Sequence, residues 1–183
     1  MSGRVRGILV GRFQPFHAGH LAVVRAVRTA RPSEELILGV GSAQESYTWK
    51  NPFTAGERLE MIHLALDEAE LGGVWAVPLP DIQRHAMWVR YVKSMVPRFE
   101  RVYTNNPLTR LLFEQSDYAV DAPKLVDREQ LQGEVVRQRL ADDREWRGLV
   151  PSEVAAYLAD LEAPARLRLL RGGESPGPAR PTP

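Results

Sequence analysis

The stretch Gly11-Arg12-Phe13-Gln14-Pro15-Phe16-His17-Ala18-Gly19-His20 gathers groups suited to binding an anion. His17 and His20 stand three apart at the opening of a helix, so both imidazoles can face one side. Free backbone N–H groups and the positive end of the helix dipole meet at that same place and favour a phosphate. The imidazoles can donate hydrogen bonds to its oxygens, and Arg12 can add charge. Gly19 removes a side chain where a phosphate would approach closely. Half of the chain's four histidines fall in this stretch, which argues against two unrelated histidines in a turn.

The elements that must carry these residues follow from hydrophobic periodicity. Short apolar runs at 4–13, 35–40, 73–79, 101–104 and 118–122 read as strands. Helical spacing appears from Gly19 to Ala30, where Val23, Ala26, Val27 and Ala30 recur. A second helix starts at the T-x-x-E capping box of Thr54 and Glu57 and places Leu59, Ile62, His63 and Leu66 on one face. That position predicts a core role for His63. Further helices are expected at 87–95, after the turn Asn105-Asn106-Pro107 into Glu114, at 133–141 and at 152–161. Strand and helix alternating with short turns predicts an α/β fold: a Rossmann-like, doubly wound parallel sheet of about five strands, with helices at the C-terminal end. In such sheets ligands sit beyond the carboxyl ends of the strands, where strand order reverses.

The bulk composition narrows the function classes. A chain of 183 residues suits one domain with a full core, expected over residues 1–171, with a disordered tail at 172–183 that lacks core-forming residues. A formal net charge of +1 and no basic stripe speak against nucleic acid and against an anionic membrane surface. With no cysteine, disulfides and thiolate metal sites are excluded. The apolar run from Gly7 to Val10 is too short for a signal peptide or a membrane span, and a cytoplasmic location is expected.

The stretch GRFQPFHAGH resembles the nucleotide-binding signature of the nucleotidylyltransferase superfamily, in the version carried by archaeal-type nicotinamide mononucleotide adenylyltransferases. The likeness continues through Gly41–Ser46 (GSAQES), Asn51–Arg58 (NPFTAGER), Pro80-Asp81-Ile82 with Trp88, Asn106-Pro107-Leu108, the helix at 133–140 and the turn Leu149-Val150-Pro151, covering about residues 5 to 170. It implies that the phosphate of the mononucleotide attacks the α-phosphorus of ATP and expels pyrophosphate. A phosphate monoester, with a second pKa of about 6, is already largely ionised at pH 7 and needs no general base. Catalysis would then be alignment of two anions plus electrostatic stabilisation. The resemblance assigns this work to His17, His20, Arg12, Lys50 and Arg137, with Mg²⁺ bridging the triphosphate and no protein residue assigned as metal ligand. It places Gly11, Arg12, Phe13, His17, Gly19, His20, Asn106, Gly133 and Arg137 against ATP, and Gln14, Ser42, Asp81 and Trp88 against the mononucleotide. Indole at Trp88 suits a flat pyridinium cation, worth about 0.5–2 kcal/mol. A homo-oligomer is implied by the same resemblance. Arg58 is open between an anion contact and an ion pair, His85 between packing and site, and Trp49, Trp75 and Trp146 are expected to pack.

The chain also departs from its family. Where a Ser-Gly-Thr-x-x-Arg or Ser-Ser-Thr-x-x-Arg motif is usual, it reads Gln132-Gly133-Glu134-Val135-Val136-Arg137, losing both hydroxyls and gaining an acid. Lys50 stands where arginine is expected, keeping the charge without the fork. Asn105 replaces a glycine. Two alternatives therefore stay open: another phosphorylated acceptor, such as nicotinate mononucleotide, flavin mononucleotide or a sugar or alcohol phosphate, and a nucleotide sensor without turnover.

Overall fold

A computed structural model describes residues 4–123 and 131–173. The apolar runs pair as a parallel sheet in the order β3-β2-β1-β4-β5. Its strands are β1 (Arg6–Gly11), β2 (Glu35–Gly41), β3 (Val74–Leu79), β4 (Arg101–Tyr103) and β5 (Ala119–Asp121). Ile8 of β1 sits in register with Ile37 of β2 on one side and Val102 of β4 on the other. The helices are α1 (Ala18–Ala30), α2 (Ala55–Glu68), α3 (His85–Met95), α4 (Pro107–Glu114), α5 (Gly133–Ala141), α6 (Ser152–Asp160) and α7 (Ala163–Gly173), with a 3₁₀ turn at Arg147–Leu149. None of these is long and apolar enough to cross a membrane among the described residues.

The pleat divides the core in two. Leu36, Leu38 and Val40 of β2, with Tyr103 of β4, pack against α1, α2, α5, α6 and α7. Ile8, Ile37 and Val102 turn to the other face, against Val89 and Val92 of α3 and Phe113 of α4. Both faces are therefore covered, as continuous apolar strands require. After β3 the chain returns past β1 to lay down β4, so strand order reverses between β1 and β4.

Several expectations change. The first strand ends at Gly11 rather than Phe13, because Phe13 lies in the left-handed region at φ 51°. Helix α3 begins at His85, two residues early. A helix not expected from the sequence, α7, follows α6 and runs through Gly172 and Gly173. The remainder of the expected tail lies outside the described residues. His63 is exposed, its ring 3.4 Å from Asp67 one turn on, and is not a core residue. Trp75 is 46% exposed on the edge strand β3, whereas Trp146 is buried as expected.

Candidate active site at the strand reversal

A cleft of about 370 Å³ opens where strand order reverses. Its walls come from the end of β1, the start of α1, the turn after β4 and the start of α5, including Gly11, Phe13, His17, Gly19, His20, Asn106 and Gly133. Two helix N-termini, those of α1 and α5, thus converge on one space, which suits an anion. A second cleft of about 420 Å³ adjoins it, with Asp81, His85 and Trp88 in its wall. Asn106 lines both, so the two spaces meet at that residue.

The local chain path explains the histidine geometry. Phe13 takes a left-handed turn directly after the strand, a conformation uncommon outside glycine and frequent at functional sites. Gly11 makes this turn possible, since a Cβ there would stand 2.9 Å from the Phe13 ring. Gln14 is buried and does not reach into either cleft. Its amide donates to the Phe53 carbonyl (2.9 Å) and accepts from the Phe53 N–H (3.0 Å), tying the first loop to the start of α2. Its carbonyl accepts from Arg137 (2.8 Å). Gly19 lines the cleft, and a Cβ there would lie 3.1 Å from the His17 ring, so the glycine also makes room for that imidazole.

His17 and His20 stack at 3.6 Å between centroids, and His20 is further enclosed by Phe13 (4.8 Å) and Phe16 (5.4 Å). Nδ1 of His20 accepts from the His17 N–H (3.2 Å), which leaves the proton of the neutral ring on Nε2. Nδ1 of His17 is buried without a hydrogen-bond partner among the described residues. Burial lowers the His17 pKa to about 4, with Arg137's charge adding to the effect. Burial and then the neighbouring His17 push His20 well below its usual range. Both rings are therefore neutral at pH 7 and act as hydrogen-bond groups without charge.

The positive charge comes from arginine. Arg137 is buried, its Nε without a partner among the described residues, and burial together with repulsion from Arg12 lowers its pKa to about 10. It remains protonated at neutral pH. Arg12 is exposed at the mouth of the loop. Glu134 is exposed, is absent from the cleft wall, and favours the charge on Arg137. Arg58 takes neither of its expected roles. Fully buried, it donates to the carbonyls of Arg12 (2.9 Å), Gly41 (2.8 Å), Ser42 (3.1 Å) and Thr54 (3.2 Å), gathering the ends of β1 and β2.

Trp88 is half-buried, one edge against Phe113 at 5.4 Å, and Asp81 stands in the same cleft wall. His85, first residue of α3, joins them. Ser42 and Lys50 line neither cleft; Ser42 turns the chain at φ 48°, and Lys50 is exposed on the loop that follows. Sequence reasoning missed Thr104, buried at the end of β4, whose hydroxyl accepts the Asn106 N–H (3.0 Å) and sets the turn between the clefts. Its position just after a strand was the available signal.

The cytidylyltransferase-like family matches residues 8–139 of this chain. A nicotinamide-nucleotide adenylyltransferase of Halobacterium salinarum is 45% identical over 163 residues, 89% of this chain and 90% of its own. Proteins of the same name from Archaeoglobus fulgidus (44% identical, covering 92% of this chain and 98% of that one) and Pyrococcus furiosus (44%, 90% and 88%) are similar throughout. The fold matches the crystal structure of a bifunctional NMN adenylyltransferase/ADP ribose pyrophosphatase from Francisella tularensis, with a TM-score of 0.70 at 17% identity over 91% of this chain. This chain spans 53% of that longer protein. The chain belongs to the cytidylyltransferase-like family.

Proposed function

We propose that this member of the cytidylyltransferase-like family transfers an adenylyl group from ATP to nicotinamide mononucleotide, giving NAD and pyrophosphate. The observation that carries this reading is the pair of clefts joined at Asn106, one walled by neutral imidazoles and helix N-termini, the other by Trp88 and Asp81. Each is large enough for part of a nucleotide. The relatives named nicotinamide-nucleotide adenylyltransferase, at about 45% identity, support the choice of substrates.

ATP lies with its phosphates in the first cleft, at the starts of α1 and α5. Trp88 stacks on the pyridinium of the mononucleotide in the second. The ionised phosphate of the mononucleotide attacks the α-phosphorus, a P–O bond forms, and the bond to the β-phosphate oxygen breaks to release pyrophosphate. The imidazole N–H groups of His17 and His20 donate to oxygens whose charge grows, while Arg12, Arg137 and Lys50 offset the repulsion between the two anions. Neutral donors suit the task because no proton has to be moved.

Among the described residues no group of three or more His, Cys, Asp or Glu could hold a metal. Imidazoles and guanidiniums fit phosphate oxygens and not a cation, so Mg²⁺ would be held by the triphosphate itself and would supply shielding of charge between its phosphates. A cytoplasmic homo-oligomer completes the proposal.

The test is incubation of purified protein with ATP, Mg²⁺ and nicotinamide mononucleotide, following pyrophosphate release and dinucleotide formation together. Both products should appear in equal amounts. Binding of ATP without either product would leave a nucleotide sensor; product only with a different phosphorylated acceptor would reassign the substrate.

A further inference from the structure

The loop between β2 and α2 carries Lys50, and several of its side chains meet the last helix. Residues 48 and 51 close a small turn: the Thr48 N–H donates to the Asn51 carbonyl (3.2 Å) and the Asn51 N–H to the Thr48 hydroxyl (3.1 Å). Lys50 sits inside that turn, with Tyr47, Trp49 and Phe53 close to it in the sequence. Arg171 of α7 lies over the Trp49 ring at 4.6 Å and pairs with Asp142 at 2.5 Å. Arg166 of α7 lies over the Tyr47 ring at 5.3 Å and the Phe53 ring at 5.8 Å. Its Nη1 is 2.8 Å from the carboxylate of Glu57, the residue that caps α2 through the Thr54 N–H (2.9 Å). The Arg166 and Glu57 side chains are 18% and 14% exposed, so this pair is more than a solvated surface contact. Three aromatic residues that flank Lys50 in the sequence thus lie under two arginines of one helix. That helix lies beyond residue 139, where the family-wide match ends.

We propose that Arg166 and Arg171 are positioning residues that hold the Lys50 turn in its reactive conformation, making the C-terminal helix part of the adenylyl-transfer apparatus. The inference rests on the adenylyltransferase reading, in which Lys50, exposed and outside both cleft walls, supplies positive charge to the phosphates as they bind. Guanidinium over an aromatic ring restrains the ring without burying it, so a turn that stays open to solvent keeps one orientation. A cation displaced by about 1 Å can lose up to about 100-fold in rate.

Two measurements test this. Arg166→Met and Arg171→Met are combined with Lys50→Met, and kcat and KM are measured for all five variants and the unaltered protein. Each arginine variant should lower kcat about tenfold or more in the Lys50 background and less than about twofold once Lys50 is gone, because residues that act through one another are not additive. The same fold-loss in both backgrounds, or no loss in either, overturns the proposal. Tryptic cleavage of the Lys50–Asn51 bond, read from fragment masses, should be faster in both arginine variants than in the unaltered protein; unchanged cleavage overturns it as well. Cleavage needs no activity, so an unaltered protein that makes no dinucleotide would remove the functional reading and leave this arm decisive. Should Arg166→Met fail to fold, the 42% exposed Arg171 side chain keeps both measurements available.

Discussion

Replacing His17 with Asn removes a buried imidazole and keeps a short polar side chain at the N-cap of α1, where Asn is well tolerated. In the unfolded chain this imidazole takes up a proton near pH 6.5; in the folded protein it does so only near pH 4, since burial and then Arg137 oppose the charge. Between those values the unfolded state binds more protons. Stability is therefore full above about pH 6.5, falls as pH drops, and levels off below about 4. The gap from 6.5 to about 4, at ~1.36 kcal/mol per pH unit, amounts to about 3 kcal/mol. His20, stacked on the same ring and lowered in the same direction, steepens the fall, so the pair titrates together. Urea unfolding of both proteins at pH 7 and pH 4.5 checks this. The unaltered protein should lose about 2–3 kcal/mol more than His17→Asn across that interval. Parallel losses would mean that the ring is hydrated or already charged, and the account of a neutral His17 would fail.

Other perturbations read the remaining parts of the site. His20→Ala should lower kcat roughly 100- to 1000-fold with the fold intact by circular dichroism, the loss expected for one donor to developing charge; near-normal turnover would remove His20 from the site. Trp88→Ala should raise the mononucleotide KM roughly 2- to 30-fold and leave the ATP KM nearly unchanged, because stacking on pyridinium acts on one substrate; equal changes would make Trp88 a packing residue. Gly7→Ala places a Cβ 2.4 Å from the Tyr103 ring and 2.5 Å from the Glu34 carboxylate, which share a 2.6 Å hydrogen bond. It should cost roughly 1–3 kcal/mol in urea unfolding without altering KM. Gln132→Ser with Glu134→Thr should lower the ATP KM and leave the mononucleotide KM alone; a new requirement for extra magnesium would instead tie Glu134 to the metal.

Much of this architecture could be read before any coordinates. Strands rich in Val, Ile and Leu alternate with amphipathic helices, and the Thr54–Glu57 pair closes as a capping box with both hydrogen bonds formed. The clefts lie at the carboxyl ends of the strands because the strand order demands it. What periodicity cannot express is a polar side chain used inside, or a helix docked by charge. Arg58 belongs to a helix whose pattern would turn arginine outward, yet four carbonyls draw it in. Helix α7 buries Ala163 and Leu167 but leaves Leu169 75% exposed, and it attaches through arginine over aromatic rings, contacts that hydrophobic spacing does not count. His63 fails the opposite way: it shares the spacing of Ile62 and Leu66 but stands at the margin of their face and meets water.

The departures in the α5 segment acquire a physical meaning from the charge balance of the site. Arg58 and Arg137 are both buried, and both lose proton affinity to burial and to Arg12. Arg58 spends its donors on carbonyls and Arg137 one of its own on Gln14, partners that satisfy hydrogen bonds without cancelling charge. A positive potential therefore persists beside the cleft until an anion enters it. Glu134, exposed and one residue into α5, offsets part of that potential on Arg137 without standing in the cleft wall. The acid that replaces a hydroxyl thus supports the buried arginine, while the backbone N–H groups at the start of α5 remain directed at the space where phosphate would lie. On the proposed reading, charge is supplied by arginine held from behind, and hydrogen bonds by imidazoles kept neutral by burial. Separating the two would let the proposed site attract two anions yet leave the attacking phosphate ionised.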